Sequence, residues 1–414
     1  MDTGNETVEI GIGKVAVVAI CFAATSIEGF DVQVAGVAAP KLAPLLGLTP
    51  KQMGFFFASA TFGMIVGSFL GGLIADRFGR RLGLVVSLTV FGLFTFATAH
   101  ARSFEMLSVL RFLTGLGLGG ALPSLVATAS EAVSPRRRGA AVGIVYAGLP
   151  LGATLASAVA IGIKEWEQLF FIGAVLPFLL IPFVARFLPS PVSIGARSSG
   201  HGDKGLSQIL GKETRVATLL LWIGFFFYIL ILYLLINWQP ILLMSKGFTG
   251  ESASAIQAAF SLSGAAASIL AGFAMDIYDR RFTVAASGAV LVCALVYFAI
   301  MPPYLPFAVI AGIGLGAGIV GSQSILYGLA PQAYPANVRG TGVGLALGMG
   351  RWGSVAGPLL AGLLIASGNS AAEVLMGIVP IAFAGGLATF LLAAVLQRKA
   401  KSGSQIPGAM RATG

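Results

Sequence analysis

Gly71-Gly-Leu-Ile-Ala-Asp76-Arg77-Phe-Gly-Arg80-Arg81 is a short basic stretch between two long apolar runs. It returns 200 residues later as Ala271-Gly-Phe-Ala-Met-Asp276-Ile-Tyr-Asp279-Arg280-Arg281. Two further pairings keep step with it. PRRRG at 135–139 corresponds to PANVRG at 335–340, and the row Gly115, Gly117, Gly119 pairs with Gly314, Gly316, Gly318 at an offset of 199. A repeat of this length means that the chain is two similar halves in tandem.

Around these stretches the sequence is too apolar for water. Of its 414 residues 57% are hydrophobic and 10% charged, and the mean hydropathy is +0.91. A soluble domain carries roughly 25% charge. Apolar runs fall at about 14–38, 52–74, 82–100, 104–131, 139–163 and 168–188, then at 214–238, 253–275, 282–301, 304–331, 340–366 and 373–396. A bilayer span takes about 20 apolar residues. The expected fold is therefore an all-α membrane protein of 12 transmembrane helices in two six-helix pseudo-symmetric halves. Residues 1–188 form the first half, 189–213 a cytoplasmic linker, 214–396 the second half and 397–414 a cytoplasmic tail.

The net charge of +10 follows topology rather than nucleic acid. Of the 26 Lys and Arg residues, 19 fall in the segments expected to be cytoplasmic, 5 in outer segments and 2 inside helices. That is the positive-inside pattern, and it puts both termini in the cytoplasm of a bacterial inner membrane. Cys21 and Cys293 lie in apolar runs, with no disulfide framework and no metal-ligand spacing. No P-loop is present, and the two histidines, His100 and His201, sit at a helix end and in the linker. Nucleotide drive and catalysis are disfavoured. No cofactor is expected, and no nucleic-acid partner.

The Gly71–Arg81 stretch resembles the loop signature of the major facilitator superfamily. Arg111-Phe-Leu-Thr-Gly115-Leu-Gly117 in the fourth run resembles a pattern of its proton-coupled members. Glu28-Gly29-Phe30-Asp31 is similar to the D-G-x-D of the aromatic acid:proton symporter family, with Glu in place of the first Asp. Asn237-Trp238 and Gly350-Arg351-Trp352-Gly353 look most like its 3-(3-hydroxyphenyl)propionate transporter branch. The resemblance spans roughly residues 14–396. It implies two halves rocking about a central site, and a proton as the coupling ion.

Ionisable groups inside membrane helices are costly and mark function. Glu28 and Asp31 share one face of the first run. By helical rise, Asp31 and Arg111 both lie about 12 Å from the outer edge, where the resemblance brings their helices to one cavity. Asp31, Glu28 and Arg111 are the expected proton-coupling residues; Arg111 is also a candidate ligand for a substrate carboxylate. Arg351 lies about 16 Å in, with no acid within a turn of its own helix. A planar guanidinium suits a carboxylate, so Arg351 is expected to bind an anion. Gln323, Tyr327, Asn237 and Trp238 are further substrate-binding candidates, Trp238 being equally readable as an interfacial anchor. Tyr146 and Phe30 are weaker ones. Asp76, Arg80, Glu131, Asp276 and Arg280 are expected gating residues, with Glu131 paired to Arg80 or Arg81.

The expected function is secondary active import of an aromatic carboxylate with protons, by alternating access, in a monomer surrounded by lipid. Proton-coupled efflux of drugs or metabolites is an alternative on the same fold. Gly148-Leu-Pro-Leu-Gly152 lacks the Gly-Pro pair that the resemblance associates with antiporters. A non-aromatic organic-acid symporter is another alternative. A receptor without transport would not need the buried charges.

Overall fold

A computed structural model describes residues 6–134, 138–188, 208–212, 214–335 and 338–404. Among them are twelve helices long and apolar enough to cross a membrane. They are α1 (Glu6–Leu45), α2 (Pro50–Phe78), α3 (Arg80–Thr98), α4 (Phe104–Glu131), α5 (Arg138–Gly162), α6 (Trp166–Phe187), α7 (Arg215–Ser245), α8 (Gly250–Ile277), α9 (Arg280–Ile300), α10 (Leu305–Leu329), α11 (Arg339–Ala366) and α12 (Ala371–Ser404).

Helix starts are written in side-chain caps. Thr49 accepts from the Gln52 amide, with Pro50 as the first helical residue; Ser103 caps α4 and Thr249 caps α8 in the same way. The α2–α3 turn depends on Gly79 at φ 91°, a backbone conformation that side chains disfavour. Its counterpart two hundred residues on is Asp279, which caps α9 instead.

Two boundaries differ from the expected ones. α1 does not stop with its apolar run near 38 but continues through Pro40 and Pro44 to Leu45. α12 continues past 396 to Ser404, so the expected tail begins as helix. Most of the expected linker, 189–207 and 213, lies outside the described residues, as do 135–137 and 336–337 of the second repeat pair.

Within the first half α1 packs on α5, α2 on α4 and α3 on α6; within the second, α7 packs on α11, α8 on α10 and α9 on α12. The halves meet through α2 with α11, α5 with α8 and α1 with α7. Backbone approaches fix the internal register. A Cβ on Gly152 would lie 1.8 Å from the Ser26 carbonyl, and one on Gly353 2.2 Å from that of Phe226. Gly115 meets Ala60 as Gly316 meets Phe260. The glycine rows therefore pair at an offset of 201, not 199. One extra residue in the second half lies between the α3 and α4 equivalents, and matching glycines by eye could not see it.

Contacts between the halves gather at the end away from the α2–α3 turn. Gln257 Nε2 donates to Gln33 Oε1 at 3.2 Å, and Phe57 packs edge-on to Trp238 at 5.5 Å. Gly36 abuts the Ile236 carbonyl, and Gly54 that of Pro358. At the opposite end the polar pairs Arg80–Glu131, Arg280–Gln332 and Arg281–Gln397 each stay within one half.

Candidate functional site

The site is built on the crossing of α1 and α5. A Cβ on Gly29 would lie 2.0 Å from the Leu149 carbonyl oxygen, so only glycine permits this approach. Thr25 Oγ1 donates across the crossing to the Val145 carbonyl at 2.6 Å. With Gly29 turned to α5, its neighbours Glu28 and Asp31 are turned into the protein interior, at 3% and 0% exposure.

Asp31 and Arg111 meet. Arg111 Nη1 lies 2.9 Å from Asp31 Oδ2 and 3.2 Å from Oδ1, and Thr95 Oγ1 adds a third hydrogen bond at 3.2 Å. The guanidinium lies over the Phe170 ring, 5.7 Å from its centroid, and its Nε has no hydrogen-bond partner. The carboxylate is thus held from α3 and α4 together, all within the first half.

Glu28, one turn along α1, lies in the field of a different cation. Its Oε2 has no hydrogen-bond partner, and the charges nearest in effect are Arg351 and Asp31. Arg351 makes no ion pair among the described residues; its Nη1 lies 3.9 Å from the Met64 sulfur. Tyr146 of α5, Tyr233 of α7 and Tyr327 of α10 all lie in the field of Arg351. The Tyr146 and Tyr327 rings are 6.1 Å apart across the seam, and Phe225 backs Tyr327 at 5.1 Å. At the internal offsets, Glu28 corresponds to Tyr228 and Arg351 to Pro150. Acid and base therefore come from opposite halves. Tyr233 was not singled out by the sequence; its spacing of four from Asn237 is the signal that could have found it.

A small cavity between the halves is lined by Arg111, Tyr233, Asn237, Thr61 and Met64. Gln323 sits beside Tyr327 on α10. Two aromatic candidates have other work. Trp238, 1% exposed, gives its Nε1 hydrogen to the Pro358 carbonyl at 3.0 Å and packs on Phe57. It is a strut between α7, α2 and α11, neither an interfacial anchor nor an open ring. Phe30 is buried against Gly173 of α6.

At the basic-loop end Arg80 pairs with Glu131, linking α3 to α4. The Asp76 side chain lies outside the described residues. Asp276 is exposed and unpaired among the described residues, so the expected Asp276–Arg280 cluster does not form. Asp279 takes its place: it accepts from the Arg281 amide at 2.8 Å and from Gln397 Nε2 at 3.0 Å, and Arg280 turns to Gln332. The Arg281 amide first, then Gln397, hold the Asp279 carboxyl below the usual carboxylate range. The repeat carries Asp76 onto Asp276, but without a glycine like Gly79 the turn recruits its last carboxylate as a cap.

Twelve spans in two like halves, enclosing buried charge at the seam, define a multi-pass membrane transporter rather than an enzyme. The major facilitator superfamily model matches residues 21–358 and 221–411, and the chain belongs to that superfamily. It is 38% identical over 386 residues to the 3-(3-hydroxyphenyl)propionate transporter of Escherichia coli K12, covering 91% of this chain and 93% of that one. It is 32% identical over 406 residues to the 4-hydroxybenzoate transporter PcaK of Pseudomonas putida, covering 89% and 90%. Among solved structures, a bacterial homologue of the human lysosomal transporter Spinster superposes with a TM-score of 0.76 at 17% identity, over 93% of this chain and 98% of that one. That likeness concerns the fold alone.

Proposed function

We propose that this chain imports an aromatic carboxylate together with protons across the bacterial inner membrane, as a monomer with both termini in the cytoplasm. The observation that carries the reading is Arg351: a cation at the seam with no ion pair among the described residues, in whose field lie a buried acid and three tyrosines. The names of the relatives, transporters of hydroxylated aromatic acids, supply the substrate class.

The chemistry follows from competition. Empty, Arg351 is balanced by the field of Glu28. A substrate carboxylate that takes the guanidinium in bidentate geometry removes that balance. Glu28 then neutralises itself by taking a proton, because an unbalanced buried carboxylate is costly. Anion and proton thus load together. Asp31, held by Arg111 and Thr95, balances the charge of Arg111 and is the second candidate carrier. Rocking of the first half on the second then moves the loaded site from one face to the other.

Reconstituted vesicles test this. Uptake of labelled 3-(3-hydroxyphenyl)propionate should rise when the outside is acidified and collapse with an uncoupler. Uptake indifferent to the uncoupler rules out proton coupling.

A further inference from the structure

We propose that Asn237 reads a hydrogen-bond donor on the far edge of the substrate ring, and so selects hydroxylated aryl acids over unsubstituted ones. The proposal rests on the preceding reading, in which Arg351 holds the carboxylate. Asn237 Nδ2 donates to the Tyr233 carbonyl of its own helix at 2.7 Å. Only the amide nitrogen can face a carbonyl at that distance, so the side-chain oxygen is the group left over for a ligand, and Asn237 lines the cavity between the halves.

Two of its polar neighbours direct donors elsewhere. Thr61 directs its hydroxyl hydrogen to the Ala58 and Ser354 carbonyls, at 3.0 and 3.2 Å. Arg111 spends Nη1 on Asp31. The remaining wall is largely apolar, with Val32, Phe57 and Leu118. A carbonyl oxygen in such a wall is an acceptor awaiting a ligand.

Its position suits the ring edge opposite the carboxylate. Arg351 reaches the same cavity: its Nη1 lies 3.9 Å from the sulfur of Met64, which lines it together with Tyr233 and Asn237. Asn237 is one helical turn further along α7, about 6 Å. An acid anchored on Arg351 lays its ring along Tyr233 and points its distal substituent at Asn237. A phenolic hydroxyl donates there; a plain C–H edge leaves the oxygen unpaired, and sites built for a donor reject analogues that lack it.

The full chain in proteoliposomes tests this through the kcat/KM ratio for 3-(3-hydroxyphenyl)propionate over 3-phenylpropionate. The wild type should favour the hydroxy acid at least about tenfold, the scale of one hydrogen bond. Asn237→Leu should bring the ratio close to one, and Asn237→Ser, which keeps a small acceptor, should fall between. A wild-type ratio of one, or an Asn237→Leu ratio equal to wild type, overturns the proposal. If Asn237→Leu is not monodisperse, the serine variant decides, and an unchanged ratio there overturns it as well. Wild-type protein that takes up neither acid overturns the underlying reading, and the Asn237 assignment with it.

Discussion

Gln33 of α1 and Gln257 of α8 are hydrogen-bonded to each other at 3.2 Å across the seam between the halves, each at 0% exposure. Gln33 also reaches the Ile236 carbonyl at 3.5 Å, while Gln257 Oε1 is left without a partner. The seal at this end is thus polar and incompletely satisfied. Gln33→Leu strands the whole Gln257 amide, at a cost of about 1–3 kcal/mol to the closed arrangement. In a background lacking Cys21 and Cys293, a cysteine at Val32 should then label faster with an impermeant thiol reagent applied from the Gln33 side. The double Gln33→Leu, Gln257→Leu protein should label more slowly than wild type. Equal rates for all three would remove the pair from the gate.

The Asp31–Arg111 pair predicts a strong single-mutant penalty. Removing either partner leaves a buried charge alone, worth roughly 3–5 kcal/mol of stability. Asp31→Asn and Arg111→Gln should each lower the thermal midpoint in detergent sharply. The double variant, which removes both charges, should recover most of that loss. Its transport separates roles: restored folding without accumulation places Asp31 in proton coupling, whereas restored accumulation makes the pair structural.

Gly29 sets the α1–α5 distance. Gly29→Ala puts a methyl 2.0 Å from the Leu149 carbonyl oxygen, so the helices must part. Overpacking of this kind costs about 1–3 kcal/mol. Both uptake and thermal midpoint should fall, while Gly143→Ala on the partner helix α5, with open space around its Cβ position, should change neither.

Asp279 predicts a pH window. Its folded carboxyl is held below the ordinary carboxylate value, so the stabilisation is fully present above that value and is lost as pH falls through the lower, folded one. The difference in thermal midpoint between wild type and Asp279→Asn should be constant from about pH 5 to 8 and shrink below about pH 4. A difference that grows on acidification would contradict the cap.

Arg351→Lys keeps the charge and loses the planar fork. If the substrate carboxylate is held in bidentate geometry, KM should rise at least tenfold while proton coupling persists.

The sequence carries the architecture because lipid leaves few choices: each apolar run must become a helix, and a repeated charged loop dictates equal halves. Glu28, Asp31, Arg111 and Arg351 were legible for the same reason, as charges out of place. What stayed hidden depends on side-chain direction. Trp238 reads as an exposed anchor until its indole is seen bonded to Pro358. Asp276 looks like the twin of Asp76, yet capping geometry selects Asp279. The division of acids between two cations, Asp31 with Arg111 and Glu28 with Arg351, turns on which way a residue three places along α1 faces. Tyr233 carries no charge to betray it.

The correspondence of Pro150 with Arg351, and of Glu28 with Tyr228, has a consequence for assembly. A symmetric dimer of two first halves would hold two copies of Glu28 with no cation at the position of Arg351. A dimer of two second halves would hold two guanidiniums with no acid. Only the unlike pairing is electrically complete. Expressed as separate chains, the halves should therefore assemble as a heterodimer rather than as either homodimer.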